Sequence, residues 1–287
     1  MNSQARRLKA DLSLLLVTAI WGTTFVIVKN AVATIDPYTF IALRFNLAFV
    51  VLALVFWKRL LRLDWPTLRA GIVVGIFLLA GFGFQTLGLQ LVSASKGGFI
   101  TGLSVVMVPF LAWRIVNQTP SRNAVVGVVL ATAGLLLLSL KEDWTVEYGD
   151  LLVLACALAF ALHIVFIGKY APHHDVLNLA TVQLGFVAAT SGVMALVFDG
   201  IPAGLPTDGL LAAVFTGVVA TALAYALQNK AQVFTTPTHT ALIFAMEPVF
   251  AALFAVVWAG ESLTERAVLG GVLILGGMLV AEVPRKT

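Results

Sequence analysis

Charge is what this chain has least of. Asp, Glu, Lys and Arg make up 11% of its 287 residues, against about 25% in a soluble globular domain. So few charges cannot cover a folded surface in water, which sets aside most soluble enzyme classes. Cysteine is nearly absent too. The single Cys156 excludes a disulfide within one chain and any cysteine-built metal centre. The four histidines are scattered and form no cluster, so no metal is expected. The sequence holds no H-E-x-x-H, no G-x-S-x-G, no P-loop, and no GxGxxG opening a soluble αβ unit. No catalytic group and no cofactor are expected, and the chain is not expected to be an enzyme.

What the sequence has instead is apolar length. Hydrophobic residues are 60% of it and mean hydropathy is +0.99. The solvent for such a chain is lipid, and a helix needs about 20 apolar residues to cross it. Ten apolar segments separate at polar or Pro/Gly breaks: 11–31, 37–57, 67–91, 94–114, 122–140, 149–169, 176–198, 208–231, 237–259 and 265–283. The third and fourth are split only by Leu91-Val92-Ser93. Ten spans leave no room for an ATPase domain, so ATP-driven transport within this chain is excluded. Arg6, Arg7 and Lys9 before the first run resemble the start of a signal peptide. The run is long and no small-x-small site ends it, so it reads as the first span.

The formal charge of +4 and pI near 9.4 do not indicate a nucleic-acid partner, because the basic residues sit in short loops beside apolar runs. With the N-terminus inside, thirteen fall on the inner side: Arg6, Arg7, Lys9, Lys58, Arg59, Arg62, Arg69, Arg114, Arg122, Lys169, Lys230, Arg285 and Lys286. Four fall outside, Lys29, Lys96, Lys141 and Arg266, and Arg44 lies within a span, which accounts for all 18. This asymmetry places both termini in the cytoplasm. The outer loops carry acids instead: Glu142, Asp143, Glu147 and Asp150, then Asp199 and Asp208.

The chain also repeats itself. Shifted by 143, residues 85–134 fall on 228–277 without a gap. Gln85 meets Gln228, and Gly127 and Gly134 meet Gly270 and Gly277. Ser93-Ala94-Ser95-Lys96 meets Thr236-Pro237-Thr238-His239. A shift of 139 puts Asp11 on Asp150 and Trp21 on Phe160. Two halves, 1–145 and 146–287, then hold five spans each, and an odd count inverts the second. The expected fold is all-α integral membrane, ten transmembrane helices in two inverted repeats. That architecture recurs in transporters, with the substrate site between the halves.

At Ala19-Ile20-Trp21-Gly22, Leu43-Arg44-Phe45, Ser93-Ala94-Ser95-Lys96-Gly97-Gly98-Phe99-Ile100, Glu247-Pro248-Val249, and Gly260-Glu261 with Leu263-Thr264, the chain resembles the EamA-type members of the drug/metabolite transporter superfamily. The resemblance covers almost its whole length. It implies ten helices in an inner (plasma) membrane, export of small metabolites or drugs, amino acids among them, and a central cavity lined by spans 1, 3, 4, 6, 8 and 9. In the second half Ala159-Phe160-Ala161 stands where the first has Ile20-Trp21-Gly22, so symmetry in the cavity is imperfect.

Polar groups inside a bilayer are costly and need a partner or a wet cavity. Stripes at helical spacing on the cavity spans supply candidates: Trp21 and Thr24; Phe82 and Gln85; Thr101 and Ser104; Phe160 and His163; Tyr225, Gln228 and Asn229; Phe244 and Glu247. Packing of helices explains any one stripe as well. Glu247, deep in the ninth segment and followed by Pro248, reads as a substrate-ammonium or proton site, or as a buried acid holding a kink. Arg44 can pair with a substrate carboxylate, although bracing backbone carbonyls is the plainer role for a span that the family places at the periphery. Lys96 and His239, at matching repeat positions, are gate or anchor candidates. The expected function is a secondary carrier, acting as a monomer on an amino acid or related metabolite by alternating access. The competing readings are a multidrug or cationic-drug exporter, an intramembrane enzyme acting on lipid or polyprenyl substrates, and a structural scaffold.

Overall fold

The computed structural model describes residues 3–139, 146–202, 204–259 and 264–282. Lys141, Glu142, Asp143, Gly260, Glu261, Leu263, Arg285 and Lys286, used in the reading above, lie outside them. The described residues are helical and contain no strand. In order they form α1 (Ser3–Gly22), α2 (Thr24–Ala31), α3 (Pro37–Val55), α4 (Trp57–Leu60), α5 (Trp65–Leu91), α6 (Ala94–Gly102), α7 (Ser104–Val116), α8 (Arg122–Ser139), α9 (Tyr148–Tyr170), α10 (Val176–Met194), α11 (Thr207–Gly217), α12 (Ala224–Ala231), α13 (Pro237–Phe244), α14 (Glu247–Ala259) and α15 (Glu265–Glu282).

Among the described residues eight helical stretches are long and apolar enough to cross a membrane: Gln4–Ala31, Pro37–Val55, Trp65–Leu91, Lys96–Val116, Tyr148–His173, Val176–Asp199, Thr207–Ala231 and Pro237–Phe254. The protein is therefore a multi-pass membrane protein. α8 and α15 occupy the two remaining segments expected, and the apolar run of α8, Arg122–Leu137, is shorter. Leu54, Phe110 and Leu211 are each more than 60% exposed, a pattern that water punishes and lipid does not.

Local chemistry sets the helix starts. A first turn has amide N–H groups without carbonyl partners, and a short polar side chain can take one. Asp64 accepts from the Thr67 amide at 2.7 Å, which starts α5 two residues before the expected boundary. Ser93 accepts from the Lys96 amide at 3.1 Å, which turns the three-residue break after α5 into a true start for α6. Thr236, its repeat equivalent, accepts from the His239 amide at 3.2 Å at the start of α13. Asp199, at the far end of the α10 stretch, accepts from the Thr39 amide at 2.6 Å and holds the first turn of α3.

Glycine permits the closest helix crossings. A Cβ on Gly134 would sit 2.5 Å from the Gly270 carbonyl oxygen, and one on Gly127 would sit 2.5 Å from that of Gly277. α8 and α15 therefore lie antiparallel, backbone against backbone.

The expected spans contain breaks that the apolar runs do not announce. Helix stops and restarts at Thr23 between α1 and α2, at Leu103 between α6 and α7, and at Ala245-Met246 between α13 and α14. A fourth irregularity, the wider helical turn Val218–Leu223, joins α11 to α12. All four frame the same interior region.

Candidate functional site

That region is a cavity. Its empty space, counted out to its open side, is about 640 Å³. Each break delivers residues to it: Trp21 and Thr24 at the first, Thr101, Gly102 and Ser104 at the second, Phe244, Ala245 and Glu247 at the third. Tyr225 and Gln228 follow the wide turn. The unbroken α5 and α9 add Phe82, Gln85, Phe160, His163 and Ile164, and α3 adds Arg44.

The disrupted backbone is bridged by side chains at the first break and by tighter backbone bonds at the next two, as interior positions of a membrane protein require. Thr23 and Thr24 donate through their hydroxyls to the carbonyls of Ile20 (2.7 Å) and Trp21 (2.8 Å). The Leu103 and Met246 amides shorten to bonds with Ile100 and Ile243, three residues back. In the wide turn, the Ala220 carbonyl accepts from Trp21 Nε1 at 2.8 Å and the Thr221 hydroxyl accepts from Arg44 Nε at 2.7 Å. Such wide turns recur at functional sites.

The wall is aromatic. The Trp21 ring lies 5.0 Å from Phe244 and 5.5 Å from Tyr225, and Phe82 lies 5.2 Å from Phe160 and 5.0 Å from Phe45, centre to centre. Edge-to-face contacts dominate, the arrangement that ring quadrupoles favour. The Arg44 guanidinium carbon stands 4.3 Å over the Phe82 ring. His163 and Gln183 share a 2.7 Å hydrogen bond between Nε2 and Oε1, so this histidine both lines the cavity and has the single core bond expected of a packed one. Gln228 donates to Gln232, which donates to the Ile164 carbonyl, at 2.9 and 3.0 Å. Gln228 Oε1 has no partner among the described residues.

Of the residues proposed from sequence, Trp21, Thr24, Phe82, Gln85, Thr101, Ser104, Phe160, His163, Tyr225, Gln228, Phe244 and Glu247 come together in this lining. Asn229 does not. Its amide folds back on its own helix, donating to the Tyr225 carbonyl at 2.8 Å. Arg44, which the sequence reading offered for a substrate carboxylate but ranked first as a peripheral brace, also lies in the lining. A Cβ on Gly217 would meet the Arg44 carbonyl oxygen at 2.8 Å, so glycine lets α3 approach the wide turn closely enough for Arg44 to reach inward. The available signal was a lone arginine inside an apolar run, a costly residue at that depth.

Lys96 and His239 stand away from the lining, in ion pairs. Lys96 Nζ meets Asp150 Oδ2 at 2.8 Å, and His239 Nε2 meets Asp11 Oδ1 at 3.2 Å, with Arg7 4.0 Å from the same aspartate. Lys29 donates to the carbonyls of Leu89 and Val92 beside the first pair. No group of three or more metal-binding side chains occurs among the described residues.

The EamA-like transporter family model matches residues 8–140 and 147–282. The chain belongs to this family. It is 34% identical over 277 residues to an uncharacterized transporter of Archaeoglobus fulgidus, covering 96% of this chain and 87% of that one. It is 26% identical over 282 residues to the uncharacterized transporter YoaV of Bacillus subtilis, covering 95% and 96%. A crystal structure with 22% sequence identity superposes with a TM-score of 0.77 over 95% of this chain and 97% of that one, a likeness of fold. This EamA-like protein is thus a membrane transporter by family, and its cavity is the place to look for substrate.

Proposed function

We propose that this chain is a secondary transporter of the inner (plasma) membrane that exports small organic metabolites, amino acids first among them, by alternating access between two inverted five-helix halves. The observation that carries this reading is the cavity at the broken helices, with two pairs, Lys96–Asp150 and His239–Asp11, that each join residues 1–145 to residues 146–287. Discontinuous helices around a central site are a recurrent device of secondary carriers.

Support for inversion comes from crossed contacts. Lys96 corresponds to His239 and Asp150 to Asp11 in the sequence repeat, and the pairs formed are Lys96–Asp150 and His239–Asp11. Gly127 corresponds to Gly270 and Gly134 to Gly277, and the close approaches are Gly127–Gly277 and Gly134–Gly270. A two-fold relation between halves produces this exchange of partners: whatever i touches in the other half, its equivalent touches in return. The two stretches matched by the family model divide the chain at the same place.

The amino-acid assignment draws on the resemblance together with the aromatic wall. Purified protein in proteoliposomes, loaded with a panel of amino acids and of cationic drugs, tests it. Counterflow of an amino acid supports the reading, and flux confined to the drugs replaces it with the multidrug one. Impermeant labelling of a cysteine placed within 58–66, in a Cys156-free background, tests orientation. Reaction from outside would reverse the topology.

A further inference from the structure

We infer that the cavity holds its ligand between two opposite charges, Arg44 taking a carboxylate and Glu247 an ammonium, so that the site selects small zwitterions with an apolar body. This deepens the transport reading. It rests on that reading for the passage of the ligand but not for its binding.

The starting point is an imbalance. Among the described residues, Arg44 and Glu247 are the only formally charged ones in the lining. No ion pair at 4.0 Å or closer joins them, and Glu247 receives no hydrogen bond among the described residues. Charges held away from water require partners, and here the protein provides neither with a full one.

Arg44 is held in place for a planar ligand group. Its Nε is committed to the Thr221 hydroxyl and its guanidinium lies over the Phe82 ring. Those two contacts fix the plane and leave both terminal nitrogens without a hydrogen-bond partner among the described residues. That is the fork a carboxylate accepts in a bidentate manner. Lysine offers no such fork, so an anion site built this way discriminates by shape as well as charge.

Glu247 opens α14, immediately after the break at Ala245-Met246. A Cβ on Gly22 would stand 3.0 Å from its carbonyl oxygen, so the first broken span fixes the backbone beneath this carboxylate. The carboxylate itself is left to the cavity. An ammonium group satisfies it, and a lining that contains Trp21 and Phe244 suits a cation further. The same lining carries Trp21, Phe82, Tyr225 and Phe244, which suits an apolar side chain. A cation alone leaves the Arg44 fork empty, and an anion alone leaves Glu247 unpaired.

The test uses six probes with purified full-length protein in detergent, read by equilibrium binding: phenylalanine and leucine, their decarboxylated amines 2-phenylethylamine and 3-methylbutylamine, and their deaminated acids 3-phenylpropionate and 4-methylpentanoate. The wild type should bind at least one amino acid about tenfold or more tighter than its matched amine and acid, since each mono-charged analogue forfeits one charge-assisted contact. Arg44→Gln should lower the amino acid to the affinity of its amine while leaving the amine unchanged. Glu247→Gln should lower it to that of the acid while leaving the acid unchanged. The wild-type panel is decisive by itself if either variant fails to fold. An amine or an acid binding as well as its amino acid overturns the inference, as does absence of binding by all six. Counterflow in proteoliposomes separates the two readings. Binding with the expected charge pattern but no flux defeats transport and leaves the site standing. Flux with a flat affinity panel leaves transport standing and defeats the site.

Discussion

Gly22 offers the sharpest mechanical test of how the broken spans are held together. It ends α1, and a Cβ built on it would lie 2.9 Å from Phe250 Cβ, 3.0 Å from the Ala251 amide nitrogen and 3.0 Å from the Glu247 carbonyl oxygen. Two of these three atoms are backbone, so no rotamer change relieves them. Reaching ordinary contact near 3.4 Å requires α14 to move away by roughly 0.4–0.5 Å as a body, and the first turn of α14 carries Glu247. Overpacking a close-packed interface costs about 1–3 kcal/mol. Gly22→Ala should therefore lower the stability of the detergent-solubilised protein by that amount in denaturant titration. It should also reduce initial flux about 5- to 150-fold if the same strain is carried into the transport cycle.

Gly83 on α5 is the matched control. A Cβ there meets nothing within 4 Å, and alanine is favoured over glycine inside a helix by about 1 kcal/mol. Gly83→Ala should leave flux unchanged and stability equal or slightly higher. If Gly22→Ala behaves like Gly83→Ala in both assays, the close approach of α1 to α14 does not constrain the site, and the argument built on it fails.

Three further outcomes are expected. With a Ser104→Cys probe in the cavity and Cys156 removed, Asp150→Asn should increase labelling by an impermeant thiol reagent from outside and Asp11→Asn from the cytoplasmic side; equal changes from one side, or none, would deny that the Lys96–Asp150 and His239–Asp11 pairs close opposite faces. Alanine in place of Trp21, Phe82 or Tyr225 removes rings that wall the cavity, and should lower flux at least tenfold while surface expression holds; loss of expression in all three would mark them as core residues alone. Asp175 caps α10 through the Leu177 and Asn178 amides, both at 3.0 Å, and meets Arg59 at 2.6 Å. Partial burial opposes its ionisation, yet the Asn178 amide, Arg59 and the Leu177 amide together hold its carboxyl below the usual range. Its stabilisation is therefore complete above the unfolded value near 3.9 and fades as pH falls through the lower folded value. Asp175→Ala should cost about 0.5–2 kcal/mol at pH 7, read by thermal unfolding, with the gap to wild type closing at strongly acidic pH.

The apolar runs announced the membrane, and the spacing of polar and aromatic residues along them announced the faces that meet. Trp21 with Thr24, Phe82 with Gln85, and Phe244 with Glu247 share faces by helical period alone, which needs no tertiary knowledge. Arg44 was named for a substrate carboxylate but ranked below a peripheral brace, because its place depends on what lies opposite. Only the close approach allowed by Gly217, and the hydroxyl offered by Thr221 in the wide turn, bring an arginine of α3 to the interior. Asn229 was misplaced for the converse reason. It has the right spacing, but a local bond to the Tyr225 carbonyl suits its short amide better than reaching outward.

The breaks were only partly legible. The one at Ala245-Met246 falls just before Pro248, which has no N–H for the Phe244 carbonyl and which the sequence reading tied to a kink, while Thr23 and Leu103 each follow a glycine that ends a helix, Gly22 and Gly102. A lone glycine weakens a helix without dictating where it stops, so those two points could not be placed from the apolar runs alone. At the wide turn Val218–Leu223 two bonds come from elsewhere in the chain: Trp21 of the first span satisfies the Ala220 carbonyl, and Arg44 of the second bonds the Thr221 hydroxyl. The irregular backbone of one span is thus stabilised by side chains of others, and those same side chains line the cavity. A carrier gains from this coupling. A displacement of the wide turn relative to the first two spans would exchange these long-range bonds, and the lining would change with the helices. The ion pairs at Lys96–Asp150 and His239–Asp11 fit the same logic. One joins α6 to α9 and the other α1 to α13, so a shift between either pair of helices would strain a contact, and a ligand that bridges Arg44 and Glu247 would supply contact energy to offset one that breaks.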